Sequence, residues 1–200
     1  MQRMVQKLVP HPSYDPTTKD NDIMMIKLLT PVTLSSRIQA IPVASCLPDP
    51  GTTCTTSGWG AVTSPEVSYP DVLQCVNVTI FSTAQCRQFY PSSITDNMLC
   101  AGSIQGGMAQ DGHRAFSFTS ILILAAAGLL LGAPARALLQ GNGTNGAPDE
   151  EARIIGGRPC RIDQRPFQVA MIKRGQILCG GSLISNQWVL SAAHCKQPLR

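Results

Sequence analysis

The sequence predicts an all-β protein built from short strands. Glycine and proline are plentiful, at 17 and 15 in 200 residues, while aromatics make up 5%. That balance favours many short strands and turns over long helices. The apolar residues gather in short runs such as Ile23–Leu29 and Trp188–Leu190, which read as strands. Eight cysteines are spread through the chain, which implies disulfides and an oxidising compartment. No two of them form a C-x-x-C pair, so a zinc ribbon or thioredoxin-like motif is not expected. The length allows one or two domains, and the 44% hydrophobic fraction is ordinary for a globular protein.

The first strand is expected within Met1–Val9, where Met4, Val5, Leu8 and Val9 alternate loosely with Gln, Arg and Lys. Pro10–Pro16 is a turn-rich loop in which His11, between prolines, is expected at the surface. The run Asp20-Asn21-Asp22-Ile23-Met24-Met25-Ile26-Lys27-Leu28-Leu29 gives the second strand. A carboxylate directly before a buried strand is costly unless it is hydrogen-bonded. A histidine N–H would satisfy Asp22, which makes Asp22 a candidate to orient an imidazole; an Asp in this place is also a common turn cap. Asp20 is expected to be solvated. Four prolines between residues 30 and 50 mark a connection. Short strands resume over 51–110, in Cys54–Gly60, Leu73–Val78 and Asn97–Gly102. Asn77-Val78-Thr79 is an N-glycosylation sequon.

Residues 111–137 are of another kind. Arg114 precedes an eleven-residue apolar core from Ile121 to Leu131, and Ala133-Pro134-Ala135 and Ala135-Arg136-Ala137 are small-x-small sites. This is the layout of a secretory signal peptide. A transmembrane helix is the alternative, but the core falls short of the ~20 residues a span needs, so no stable membrane span is expected. Residues 138–153 are rich in Gly and Asn and end in an acidic run, as a flexible linker would be. They hold a second sequon, Asn142-Gly143-Thr144.

Residues 154–200 carry seven basic and one acidic side chain and hold the excess behind the net charge of +4. The basic residues are scattered among apolar ones without a binding motif, so no nucleic-acid partner is expected. Here Trp188-Val189-Leu190 reads as a buried strand leading to Ser191-Ala192-Ala193-His194-Cys195. Cys179 lies sixteen positions before Cys195, and a disulfide between them would contribute roughly 3 kcal/mol by loop closure. A histidine fixed in this way is a candidate general base; alone, it would more often be a packed residue of a disulfide-rich domain.

Taken as a whole, the segment Cys179–Cys195 resembles the active-site histidine segment of chymotrypsin/trypsin-like serine proteases. Asn21-Asp22-Ile23 and its apolar run resemble the aspartate segment of the same family. Cys54–Gly60, Leu73–Val78 and Asn97–Gly102 resemble its second-barrel strands, and are most similar to the tissue kallikrein group. Ala152-Arg153-Ile154-Ile155-Gly156-Gly157 resembles a zymogen activation site, with cleavage expected between Arg153 and Ile154. The resemblance implies a double antiparallel β-barrel with six strands per barrel, the second barrel incomplete. It implies a secreted serine endopeptidase ancestry, with His194 as general base, Asp22 as its orienter, and protein or peptide substrates and protease inhibitors as partners. No cofactor and no metal are implied. Carried over from the family, the disulfides are Cys179–Cys195, Cys86–Cys100 and Cys75–Cys160, and the family partners of Cys46 and Cys54 lie in a block this chain lacks.

Two departures matter. No G-D-S-G-G occurs in the 200 residues, so no nucleophilic serine is assigned. Ser182 in Gly180-Gly181-Ser182 belongs to the strand before the histidine, and Asp111 lies at the wrong distance from Cys100 for a substrate-pocket acid. The order is also reversed: an aspartate-bearing part (1–110) precedes the signal-like segment (111–137), the propeptide-like linker (138–153) and the histidine-bearing part (154–200). Fusion of one protease gene to the start of a neighbouring copy would give this order, and so would a mistaken gene model. A working internal signal would separate Asp22 from His194. The expectation is therefore a catalytically inactive chain, whose alternative is a non-catalytic, protease-like binding protein.

Overall fold

Strand β2 (Met24–Leu28) shows in five residues why this chain forms sheets. Met24, Ile26 and Leu28 are buried, and Met25 and Lys27 between them are half-buried. This is the period-two pattern that gives a strand one inward face. The computed structural model describes residues 1–60, 70–102, 115–117 and 157–196. Asp111, Asn142, Arg153, Ile154 and the apolar run 121–131 lie outside the described residues. Among the described residues, no helix is long and apolar enough to cross a membrane.

β2 is an interior strand of an antiparallel sheet that, among the described residues, has five strands. On one side it pairs with β1 (Val5–Pro10) and on the other with β10 (Trp188–Ser191). β9 (Gln176–Leu183) and β8 (Gln168–Lys173) continue the sheet beyond β10. Val5 and Leu8 of β1 and Val169 and Met171 of β8 pack against one cluster that includes Met24, Ile26, Leu183 and Val189. The two edge strands thus share a core, which requires the sheet to curl. The loose alternation of β1 has a structural cause. A bulge between Val5 and Lys7 shifts the register, so Val5 and Leu8, an odd number of residues apart, both turn inward. β8 and β9 are joined by the two residues Arg174 and Gly175, both at positive φ (53° and 84°). That is the two-residue hairpin geometry whose twist matches the strands it joins.

The second sheet contains β3 (Thr53–Gly58), β4 (Gln74–Phe81), β5 (Met98–Gly102) and β6 (Ala115–Ser117) in that order, with β7 (Arg158–Pro159) also pairing with β4. Among the described residues it too counts five strands, but β6 and β7 have only three and two residues. β6 lies in the segment expected to be signal-like and pairs with β5 through Ala115 and Cys100. Among the described residues one α-helix lies outside the all-β expectation, the seven-residue α1 (Thr83–Phe89), beside two short 3₁₀ turns. Ser82 caps it and exchanges hydrogen bonds with Gln85. This capping box satisfies backbone groups that a short helix end otherwise exposes.

Three disulfides tie the elements together. Cys86 on α1 bonds Cys100 on β5, Cys179 on β9 bonds Cys195 beyond β10, and Cys75 on β4 bonds Cys160 after β7. The last spans a sequence separation of 85 and joins the two regions that flank the signal-like segment. Cys46 is exposed, and Cys54 is buried in β3. The sheets also meet directly. Ser57 Oγ of β3 donates to Gln168 Oε1 of β8 at 2.8 Å.

Candidate active site

Pairing between β2 and β10 brings together residues 172 positions apart. Ser191 lies opposite Met24 and Val189 opposite Ile26. Carried two residues past both strand ends, this antiparallel register brings residue 22 opposite residue 193, next to His194. Asp22 also keeps the inward phase of Met24, Ile26 and Leu28, and it is 3% exposed. A short 3₁₀ turn over Ala193–Cys195, held by the bond between Cys195 and Cys179, presents His194 to it.

The contact is two-pronged. The His194 backbone N–H donates to Asp22 Oδ1 at 2.8 Å, and His194 Nδ1 lies 2.6 Å from Asp22 Oδ2. A carboxylate facing Nδ1 at this distance holds the proton on that nitrogen and leaves Nε2 as the basic one. The two hydrogen bonds also answer the cost of burying a carboxylate. The His194 side chain is 36% exposed, so the ring reaches solvent while its partner does not. Among the described residues, no side chain hydrogen-bonds Nε2. Ser191 is close in sequence, but it is fully buried and donates to Gly180 C=O at 2.8 Å. Ser182 is buried in β9, opposite Leu190 and Gln168. Neither serine is placed to attack a substrate.

Around the pair the loop 11–23 folds back on itself. His11 N–H donates to Ile23 C=O at 2.8 Å, and Asp15 N–H to Asp20 C=O at 3.0 Å. His11 is exposed, with Nδ1 accepting from Ser13 N–H at 3.2 Å. Tyr14 packs against the core of the first sheet. Burial, with the negative charges of Asp22 and Asp15, pushes its phenol up to about 12. A depression of about 440 Å³ beside the ring is lined by His194, Ala193, Tyr14, His11, Lys19 and Lys196, among others.

Asp20 departs from expectation. It is half-buried rather than solvated. Its Oδ1 accepts from Thr95 Oγ at 2.5 Å and from Asn97 Nδ2 at 3.2 Å, and its Oδ2 accepts from Asn97 at 3.2 Å and Asn21 at 3.0 Å. The cause is tertiary: loop 11–23 leans over the second sheet, where Thr95 and Asn97 supply donors. Cys179, His194 and Cys195 offer ligand-type atoms within 4.8 Å of one another, but the two sulfurs are bonded to each other and present no thiolate to a metal.

Two antiparallel sheets with a carboxylate–imidazole pair at one strand junction define a serine-protease-like scaffold. The trypsin family matches residues 2–112 and 154–198, and the chain belongs to that family. It is 48% identical to a trypsin of Xenopus laevis over 102 residues, which is 51% of this chain and 42% of that protein. It is 48% identical to serine protease 1 of Canis lupus familiaris over 101 residues, 50% of this chain and 41% of that protein. The chain thus spans about two-fifths of these curated relatives. Among solved structures it is similar to neuropsin, a serine protease expressed in the limbic system of mouse brain. That likeness has a TM-score of 0.52 and 23% identity, and it covers 96% of this chain and 67% of that one.

Proposed function

We propose that this chain carries the proton-handling half of a trypsin-like, kallikrein-related serine endopeptidase and lacks the attacking half. In this reading His194 is the general base, and Asp22 holds its tautomer and stabilises the imidazolium. Arg153–Ile154 is the activation bond, Asn77 and Asn142 are glycan acceptors, and the protein is exported. Asn77 supports its part by being exposed on β4.

The observation that carries the reading is the 2.6 Å contact between Nδ1 and Oδ2 in a sequence without G-D-S-G-G. A base set beside no nucleophile does not acylate, so the chain alone is inactive towards peptide bonds. Family substrates and inhibitors would then be bound, if at all, without turnover. The test is labelling of the oxidised chain with a serine-directed fluorophosphonate, alongside hydrolysis of a peptide ester. No label and no turnover are expected; a labelled 200-residue chain or measurable hydrolysis refutes the claim.

A further inference from the structure

We propose that Asp20 is a positioning residue: it latches the loop that carries Asp22 onto the second sheet and thereby aims the carboxylate at His194. The proposal rests on the reading of His194 and Asp22 as base and orienter, and it assigns that pair a dependence on the other sheet.

The geometry runs in one line. Asp20 and Asp22 flank Asn21, which sits at φ 52°, and Lys19 before them is at φ 59°. Two left-handed, non-glycine residues within three positions need outside restraint to persist. Asp20 is where that restraint is attached. Both of its oxygens accept hydrogen bonds, from Thr95 and Asn97 across the sheet boundary and from Asn21 beside it. The receiving side is itself a built turn. Asn97 N–H donates to Thr95 Oγ at 3.2 Å, and Met98 N–H donates to Thr95 C=O at 3.2 Å as β5 begins. Asn21 Nδ2 also donates to Ser13 C=O at 3.2 Å, which ties the latch to the far side of the loop. Only one residue separates this anchor from Asp22, so little slack lies between them.

All the donors face one acceptor, and that gives the latch a polarity that can be reversed. Asn97→Asp sets a second carboxylate against Asp20, and Asp20→Ala removes the acceptor. The double change Asp20→Asn with Asn97→Asp exchanges donor and acceptor and restores the bond across the boundary. Two signals read the outcome in the isotope-labelled, oxidised full chain. One is the low-field proton resonance of His194 Nδ1–H, deshielded by its short bond to Asp22. The other is the set of backbone couplings that report the sign of φ at Asn21.

Each single change is expected to lose the low-field resonance and the left-handed couplings, and the double change is expected to restore both. A brace that only held the sheets together would change stability and leave the His194 resonance and the Asn21 couplings in place. Singles that keep both signals, or a double change that restores neither, overturn the proposal. If the unaltered chain shows no low-field resonance, the base–orienter reading fails, and the Asn21 couplings alone decide the latch. Should Asp20→Ala fail to fold, Thr95→Val removes one donor at nearly constant shape and is read by the same two signals.

Discussion

A carboxylate as deeply buried as Asp22 survives through its donors, and among the described residues both come from His194. Asp22→Ala is therefore expected to cost roughly 1.5–3 kcal/mol, the range for hydrogen bonds to a charged group, measured by urea denaturation. Asp22→Asn should cost less and do something more specific. Its amide would donate to Nδ1, so the proton would move to Nε2, and the ¹⁵N shifts of the two ring nitrogens should exchange. Tyr14 supplies a pH prediction. Its phenol rises from 10.0 to about 12 in the folded chain, so between those values the folded state holds a proton that the unfolded state has lost. Stability is thus fully present below pH 10 and falls as pH climbs towards 12. Tyr14→Phe should flatten that fall, and the difference in tyrosinate absorbance between the two proteins should place the titration. Asp22 and His194 were singled out through the family resemblance of the segments that hold them; their apolar runs alone also allowed a turn cap and a packed histidine. Asp20 was not legible, since its donors Thr95 and Asn97 lie over seventy residues away and nothing local announces them.

At the scale of the element, the site depends on how closely β9 and β10 approach. A Cβ at Gly181 would meet Leu190 C=O and Val189 Cγ1, each at 2.9 Å. Backbone cannot yield as a side chain can, so β10 would have to move, and His194 with it. Gly181→Ala is expected to destabilise by about 1–3 kcal/mol and to disturb the His194 ring resonances. Gly102→Ala meets only the edge of the Phe81 ring at 3.1 Å and should cost less; paired denaturation curves give the comparison. The strands were largely readable from period-two burial, β2 most cleanly. β1 was blurred by its bulge, which offsets inward residues by an odd number. The helix α1 was missed because seven residues are too few for helical periodicity, although Ser82-x-x-Gln85 was its local signature.

For the whole molecule, the question is what keeps residues 1–110 and 154–200 together. Among the described residues two strand pairings, β2 with β10 and β4 with β7, cross between them, and the covalent link is Cys75–Cys160. Closing a loop of that length contributes about 4–5 kcal/mol in the chain-entropy model. If the bond after Arg153 is cut by a trypsin-like enzyme, residues 1–153 and 154–200 should migrate as one species without reductant and as two with it. Separation without reductant would show that the disulfide does not form. The sheet architecture was readable from strands, turns and cysteines. The meeting of the two regions was not, because reversed order along the chain argued for separation while register pairing between β2 and β10 requires only proximity.

That same pairing sets a timetable for biosynthesis. A ribosome makes Met24 long before Ser191, and at ~5–20 residues per second the interval is about 10–30 seconds. Throughout it the inward face of β2 has no β10 to cover it, and Asp22 has no imidazole to satisfy it. The N-terminal third is thus a client in waiting, exposed to chaperones and to mispairing until the last fifth of the polypeptide emerges.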